Sequence, residues 1–347
     1  MLNMKVGILN ITGYGGIELA RILNRHPEFK ITCVTGRSAA GEHLSNIFPH
    51  LSALDLTIKE QLDEEVDIVF SALPHAASAQ QLKPYIKKGI KVVDFSADFR
   101  LNDQKEYESW YGTNHPLPGH LSKASYGLPE LNRDSIKRSS LIANPGCYPT
   151  ASILALAPAM ENSIITEDVI VDAKSGVSGA GRGLSLNTHF SEVNESVKAY
   201  SVSGHRHMPE VVQEIGKLND EVKMKLTFLT HLIPMTRGIL VSAYAGINDS
   251  QLESKSNSIN LIRDLYKDYY KQEKFVTVTD QPPTTKQTLG TNQCLIYPTI
   301  DIRNNRLIVI ACIDNLVKGA AGQAVQNANI LFGLPEETGL EDLALYP

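Results

Sequence analysis

The sequence predicts a two-domain α/β protein on three observations. The first hundred residues alternate short apolar runs with segments of helical spacing. From Val169 onward, longer runs rich in β-branched residues take over. With 42% hydrophobic and 20% charged residues over 347 positions, the chain can bury the cores of about two domains.

Taken in order, the run MKVGIL at residues 4–9 is a strand, a glycine turn follows, and residues 16–23 continue with helical spacing. KITCVTG, VDIVFSALP and KVVDFSADF are buried-strand runs of the kind parallel sheets require. Between the last two, residues 76–88 read as a helix broken by Pro84. Such βα repeats imply a Rossmann-type doubly wound sheet whose ligand lies beyond the carboxyl ends of the strands. Residues 102–137, rich in Tyr, His, Pro and Gly, read as irregular. SSLIANPGCYP then gives a strand, a turn and the start of the helix PTASILALAPAM. The runs VIVDAKSGVSG, MKLTFLTHLIPM, RGILVSAYAGI, QCLIYPTIDI and RLIVIACID form a mostly antiparallel sheet. Helices at 208–218 and 249–271 make this second part an α+β domain. The tail GAAGQAVQNANILFGL is a small-residue helix expected to pack back on the first domain.

A net charge of −5 without basic runs argues against nucleic acid or an anionic membrane as partner. The opening MLNMKVGILN lacks the regions of a secretory leader. No apolar stretch reaches the roughly 18–20 residues of a spanning helix. The expected location is the cytoplasm. Cys33, Cys147, Cys294 and Cys312 lie far apart and show neither a C-x-x-C pair nor zinc-ligand spacing, so no metal is expected. Cys33, Cys294 and Cys312 sit in apolar, strand-like runs and read as buried; Cys147 does not.

KVGILNITGYGGIELARIL is strand, glycine turn, helix, a geometry that presents backbone N–H groups to a pyrophosphate. Asn10 stands where a first glycine is usual, and asparagine tolerates positive φ. The end of the second strand, VTGRSAAGEH, carries Arg37 and Ser38 and no acid before Glu42, which favours a 2′-phosphate and hence NADP. Read alone, the loop is also compatible with a plain glycine-rich turn, and Arg37 with a solvated surface residue.

Cys147 follows a Pro–Gly turn at the head of an apolar helix. The positive end of the helix dipole favours its thiolate, and the same N–H groups suit an oxyanion. A small residue chosen for a tight turn is the alternative. GHRHMPEVVQEI places His205 and His207 just ahead of a helix, where a histidine can do acid–base work, cap the helix or face solvent. Arg206 and Arg237 suit an anionic substrate.

Together these residues resemble the N-acetyl-gamma-glutamyl-phosphate reductases of arginine biosynthesis, which are related to aspartate-semialdehyde dehydrogenase-type enzymes. The resemblance runs through TGYGGIELARIL, SALPHAAS, VVDFSADFR, YGLPELNR, ANPGCYPTASILALAP, DAKSGVSGAGR, HRHMPE, IPMTRGIL and NLVKGAAGQAVQNAN. Asn10 departs from the family's glycine, and Gly15 from its common threonine. The resemblance implies an NADP-binding domain over 1–146, completed by a C-terminal helix at 315–347, and a catalytic and dimerisation domain over 147–314. It implies NADPH as cofactor, with Thr12, Gly13, Tyr14, Gly15, Gly16, Arg37 and Ser38 along it and Leu73, Pro74, Asn315, Lys318 and Gly319 toward its nicotinamide end. Ser175, Gly176, Ser178, Gly179 and Arg182 would close over cofactor and substrate, joined on the substrate side by Asn144, Arg206 and Arg237. It implies that Cys147 displaces phosphate from an acyl phosphate, that hydride reduces the thioester to a semialdehyde, and that His205 or His207 moves a proton. It also implies a homodimer or homotetramer.

Three other readings fit parts of the chain. A paralogue of lysine biosynthesis would act on an aminoadipyl phosphate held on a carrier protein, a difference of one methylene worth only about 1–3 kcal/mol in a pocket. A basic surface for such a carrier is not evident in the sequence. A non-catalytic nucleotide sensor could dispense with Cys147 or HRH, yet both are present. A thiol hydrolase would leave the nucleotide loop and Arg37 without purpose.

Overall fold

The computed structural model describes residues 3–248 and 258–346. The chain forms two compact units, one of residues 1–146 with 320–342 and one of 147–319 with 343–347.

The first unit is built on a seven-stranded sheet of β1 (Met4–Leu9), β2 (Phe29–Thr35), β3 (Ile58–Lys59), β4 (Ile68–Ser71), β5 (Lys91–Asp94), β6 (Ser125–Tyr126) and β7 (Leu141–Ala143). Its order is β3-β2-β1-β4-β5-β7-β6, with every neighbouring pair parallel. Strands such as Ile68–Ser71 are buried throughout, as a sheet covered on both faces demands. The order reverses between β1 and β4, so a ligand crevice is expected beyond the carboxyl ends of those two strands.

Three expectations need correction here. Pro84 lies within the helix Ser78–Lys87, one turn from its end, and does not break it. The segment read as irregular contains two helices, Gln104–Tyr111 and Pro129–Arg138. Asp103 caps the first by accepting from the Glu106 N–H at 2.9 Å, and Gly112 ends it at φ 65°. Pro129 opens the second at a position where a missing N–H costs nothing. The C-terminal helix is Gly322–Leu331, reached through a π-turn at Val317–Ala321, and is shorter than expected.

The second unit carries a sheet of β8 (Ile165–Gly176), β9 (Lys198–Tyr200), β10 (Lys225–Ile233), β11 (Ile239–Ile247), β12 (Val276–Val278), β13 (Cys294–Asp301) and β14 (Arg306–Ile313). The order is β12-β13-β14-β11-β8-β10-β9; β8–β10 and β12–β13 are parallel and the other neighbours antiparallel. One sheet face is the buried row Val169, Val171, Ala173, Val241, Ala243 and Val309. The helices Cys147–Glu161, Met208–Gly216 and Ser258–Tyr270 pack on this sheet. The last was expected to begin at 249; residues 249–257 lie outside the described residues. The helix Cys147–Glu161 is buried from Tyr148 to Met160, so its head is held firmly in the unit. Among the described residues, no helix is long and apolar enough to cross a membrane.

Candidate active site

In the first unit, the turn after β1 is tight for a steric reason. A Cβ on Gly16 would stand 2.6 Å from the Asn10 carbonyl oxygen and 2.9 Å from the Ile11 Cα, so only glycine fits. Asn10 takes φ 64°, the left-handed conformation that the missing first glycine would supply. Thr12, Gly13 and Gly15 are half-buried around it, and Tyr14 is exposed at the first residue of the helix Tyr14–Leu23. That helix has no acidic residue in its first turn and no side-chain cap, which leaves its N-terminal N–H groups for an anion. After β2, Gly36 leads into a short 3-10 turn where Arg37 and Ser38 are exposed. A glycine turn against uncapped N–H groups fits the pyrophosphate of a dinucleotide.

Leu73 and Pro74 follow β4, the first half-buried against the core and the second exposed. This loop is fixed by the β5 segment. Asp98 accepts from the N–H of Ala76 at 2.7 Å and of Ala79 at 2.9 Å, while His75 Nδ1 accepts from the Ala97 N–H at 2.9 Å. Asp94, fully buried, accepts from the hydroxyls of Ser78 and Ser96; burial first, and Asp98 second, push its carboxyl up to about 6. The motifs SALPHAAS and VVDFSADFR are thus two halves of one clamp. Asn144 is buried in the same unit, where its amide donates to the Ala320 carbonyl at 3.0 Å and its oxygen accepts from Asn327 at 3.0 Å.

In the second unit, Cys147 is the first residue of its helix and is half-buried; Cys33, Cys294 and Cys312 are buried, as their apolar runs require. Tyr148, directly after it, is the hub of an aromatic cluster. Its ring meets His205 edge-on at 5.5 Å between centroids, His207 at 6.0 Å and Phe228 at 6.1 Å. Its hydroxyl donates to the His231 carbonyl at 3.2 Å and accepts from the Tyr200 hydroxyl at 3.0 Å. His205 and His207 stand 4.8 Å apart, with Tyr200 5.6 Å from His205. Burial, then the adjacent Arg206 charge, lowers the His205 imidazole to about 4. Its Nδ1 accepts the His207 backbone N–H at 3.1 Å, so the neutral ring carries its proton on Nε2.

A second group of predicted residues gathers around Asp314. This buried carboxylate pairs with the Arg237 guanidinium at 3.1 Å and also accepts the Gly290 and Leu316 N–H groups. Asn315 accepts from the Gly238 N–H at 2.7 Å and donates to the Ser178 hydroxyl at 2.9 Å. Ser175 is buried beneath, with Gly176 and Gly179 kept small by crowding: a Cβ would come within 2.8 Å of Thr236 backbone or Ser175 Oγ. A Cβ on Gly319 would lie 2.7 Å from that of Cys147, which ties the Asn315–Gly319 turn to the thiol. Lys318 is fully buried, its ammonium 5.8 Å from the Phe275 ring centroid. Arg182 and Arg206 are exposed.

Residues 5–139 match the family model described as semialdehyde dehydrogenase, NAD binding domain, and residues 147–315 match the one described as semialdehyde dehydrogenase, dimerisation domain. Among solved structures, the chain is similar to aspartate semialdehyde dehydrogenase II of Vibrio cholerae, with a TM-score of 0.72 at 16% identity over 96% of this chain and 99% of that one. It is also similar to the NADP complex of the Candida albicans aspartate semialdehyde dehydrogenase, with a TM-score of 0.70 at 17% identity over 95% and 98%. At such identities these establish the fold. Sequence relatives decide more. The chain is 52% identical to an N-acetyl-gamma-glutamyl-phosphate reductase of Dehalococcoides mccartyi over 100% of both, and 49% identical to that of Pelotomaculum thermopropionicum over 99% of both. The chain belongs to the N-acetyl-gamma-glutamyl-phosphate reductase family.

As a member of this reductase family the chain is an oxidoreductase with a nicotinamide-dinucleotide-binding domain, as the resemblance implied. Sequence reasoning passed over Tyr148, Tyr200, Phe228 and Asp314. A tyrosine beside the cysteine was visible as the pair CY, but its partners come from β9, β10 and the HRH turn, which only the fold assembles.

Proposed function

We propose that this chain reduces N-acetyl-L-glutamyl 5-phosphate to N-acetyl-L-glutamate 5-semialdehyde and phosphate with NADPH, in arginine biosynthesis; its relatives are named for the reduction of that acyl phosphate. The observation that carries the chemistry is Cys147 at the head of its helix, next to the tyrosine that walls both histidines. The helix N-terminus favours the thiolate. Its Sγ bonds to the acyl carbon, the C–O bond to phosphate breaks, and phosphate leaves with its electron pair and takes a proton from solvent. When bound, the nicotinamide cofactor supplies hydride to the thioester carbon. The C–Sγ bond then breaks, the aldehyde departs and the thiolate is restored.

His205 serves this sequence as a neutral hydrogen-bond donor. With Nδ1 accepting from backbone, the Nε2–H is what it can offer to an oxyanion, and an imidazole lowered to about 4 is uncharged at pH 7. Collapse of the alkoxide onto the C–S bond requires no protonated histidine. Arg237, held by Asp314, is preset to receive an anionic group, and exposed Arg206 and Arg182 add to it. Arg37 selects the 2′-phosphate of NADPH over NADH.

The sheet face opposite the buried row carries half-buried Ile170, Tyr244, Ile308 and Leu240 around the paired Asp172, Lys174 and His231. This face packs against a second copy, giving a homodimer. The deciding assay runs in reverse, with NADP and phosphate or arsenate. N-acetyl-glutamate semialdehyde should be oxidised well and the aminoadipate analogue poorly; the opposite preference would move the chain to lysine biosynthesis.

A further inference from the structure

We infer that Asn10 is a positioning residue for the dinucleotide, holding the glycine loop and the loop after β4 as one preformed wall of the crevice. This rests on the reading that the crevice takes NADPH. A glycine would adopt the same φ of 64° and supply no side chain. Asn10 supplies one. Its Nδ2 donates to the Ala72 carbonyl at 2.8 Å, its backbone N–H donates to Thr35 Oγ1 at 3.3 Å, and its Oδ1 lies 3.5 Å from the Thr12 hydroxyl that donates to it. One residue therefore joins the ends of β1, β2 and β4, on both sides of the point where strand order reverses.

The loop it reaches is anchored at its other end by Asp98 through the Ala76 and Ala79 N–H groups. Without the Asn10 tether, residues 72–75 would keep the Ala72 N–H bond to the Leu9 carbonyl and the His75 and Asp98 anchors, and lose the side-chain link to the glycine turn. Binding would then have to order the two loops together, and that ordering would come out of the affinity. The effect should fall on cofactor binding, because no atom of Asn10 is needed for the chemistry at Cys147.

The test is Asn10→Gly in the full chain, with NADPH affinity measured by fluorescence titration and amide hydrogen exchange followed over 72–77 without cofactor. Losing one ordinary hydrogen bond predicts a roughly three- to tenfold rise in NADPH Kd. It also predicts faster exchange in that loop and an unchanged kcat at saturating NADPH. Asn10→Asp, which keeps the turn and replaces the donor with an acceptor facing Ala72, is the second variant should the glycine form fold poorly; it too should bind NADPH more weakly. A folded variant with wild-type Kd, or one that loses kcat at unchanged Kd, overturns the inference. A wild-type chain that does not bind NADPH overturns the cofactor reading instead, and this one with it.

Discussion

In the nucleotide-binding unit the groups expected to face a ligand are mostly main chain, whereas in the thiol-bearing unit they are side chains set by other side chains. In the turn after β1 the groups on offer are uncapped N–H groups, and at Gly16 the close approach of the Asn10 and Ile11 backbone leaves no room for a Cβ. In the other unit they are a thiol, two imidazoles and, in the group around Asp314, a guanidinium, set by a tyrosine, a backbone N–H and a buried aspartate. The lesson is about what a substitution reports. Removing a side chain should be costly in the second unit, and in the first only where a charge or a tether is involved.

The largest expected effect is at the thiol. Cys147→Ser should lower acyl-phosphate reduction on the order of 10³-fold or more, since a hydroxyl at pH 7 is a far poorer nucleophile and leaving group. NADPH affinity should stay within about twofold, because the glycine turn and Arg37, expected at its phosphates, occupy a different segment from the thiol. Steady-state rates together with a fluorescence titration of NADPH check both halves. Retained turnover would sink the thioester route, and a parallel loss of NADPH binding would break the comparison between the units.

Next in size is His205. Removing a hydrogen-bond donor from a developing oxyanion costs roughly 10²–10³ in kcat, which His205→Ala should show. The pH profile separates donor from acid. An imidazole lowered to about 4 stays neutral through pH 5, so kcat should not rise on acidification from pH 7 to 5. A rise across that window would mean that the protonated ring is the working form, and the donor role would be lost.

How far each unit was legible follows from the same contrast. The glycine turn, the place of Arg37 after β2 and the head of the Cys147 helix were readable as structure because each follows from local spacing along a strand, a turn and a helix. The clamp of Asp94 and Asp98 on the loop after β4 was not, since it joins residues about twenty positions apart through hydrogen bonds invisible in hydropathy. The cluster on Tyr148 draws on 147–148, 200, 205–207 and 228–231, and nothing local in any of those segments announces the others. Asn144, the first residue of NPGC, was placed on the substrate side by the family resemblance alone; its carboxamide bonds to Ala320 and Asn327 are contacts that no local spacing shows. The two helices of 102–138 were missed because Tyr, Pro and Gly outweighed the Asp103 cap and the Gly112 stop.

In the first unit the exposed charge is the place where side-chain removal should matter. Arg37→Ala should raise the NADPH KM roughly 10- to 100-fold and leave the NADH KM within about twofold, the loss of a charge-assisted phosphate contact. Equal losses on both cofactors would remove the 2′-phosphate role and leave Arg37 as a general surface charge.

The smallest effect should come from the buried carboxyl behind the β4 loop. Asp94 titrates near 6 in the folded chain and near 4 unfolded, so between those values the folded state holds more protons. The stability it contributes is present below the unfolded value and is lost as pH rises through about 6. Asp94→Asn does not titrate and keeps the shape, so wild type should lose stability relative to this variant on going from pH 4 to pH 7, by at most about 3 kcal/mol. Urea denaturation of both proteins at the two pH values reads the difference directly. The sign is diagnostic: a wild type that instead gains on the variant over this range would mean that the hydroxyls of Ser78 and Ser96 outweigh burial and hold Asp94 ionised. The loop after β4 would then be braced by a charge pair of like sign, and its clamp would be weakest where the dinucleotide is expected to bind.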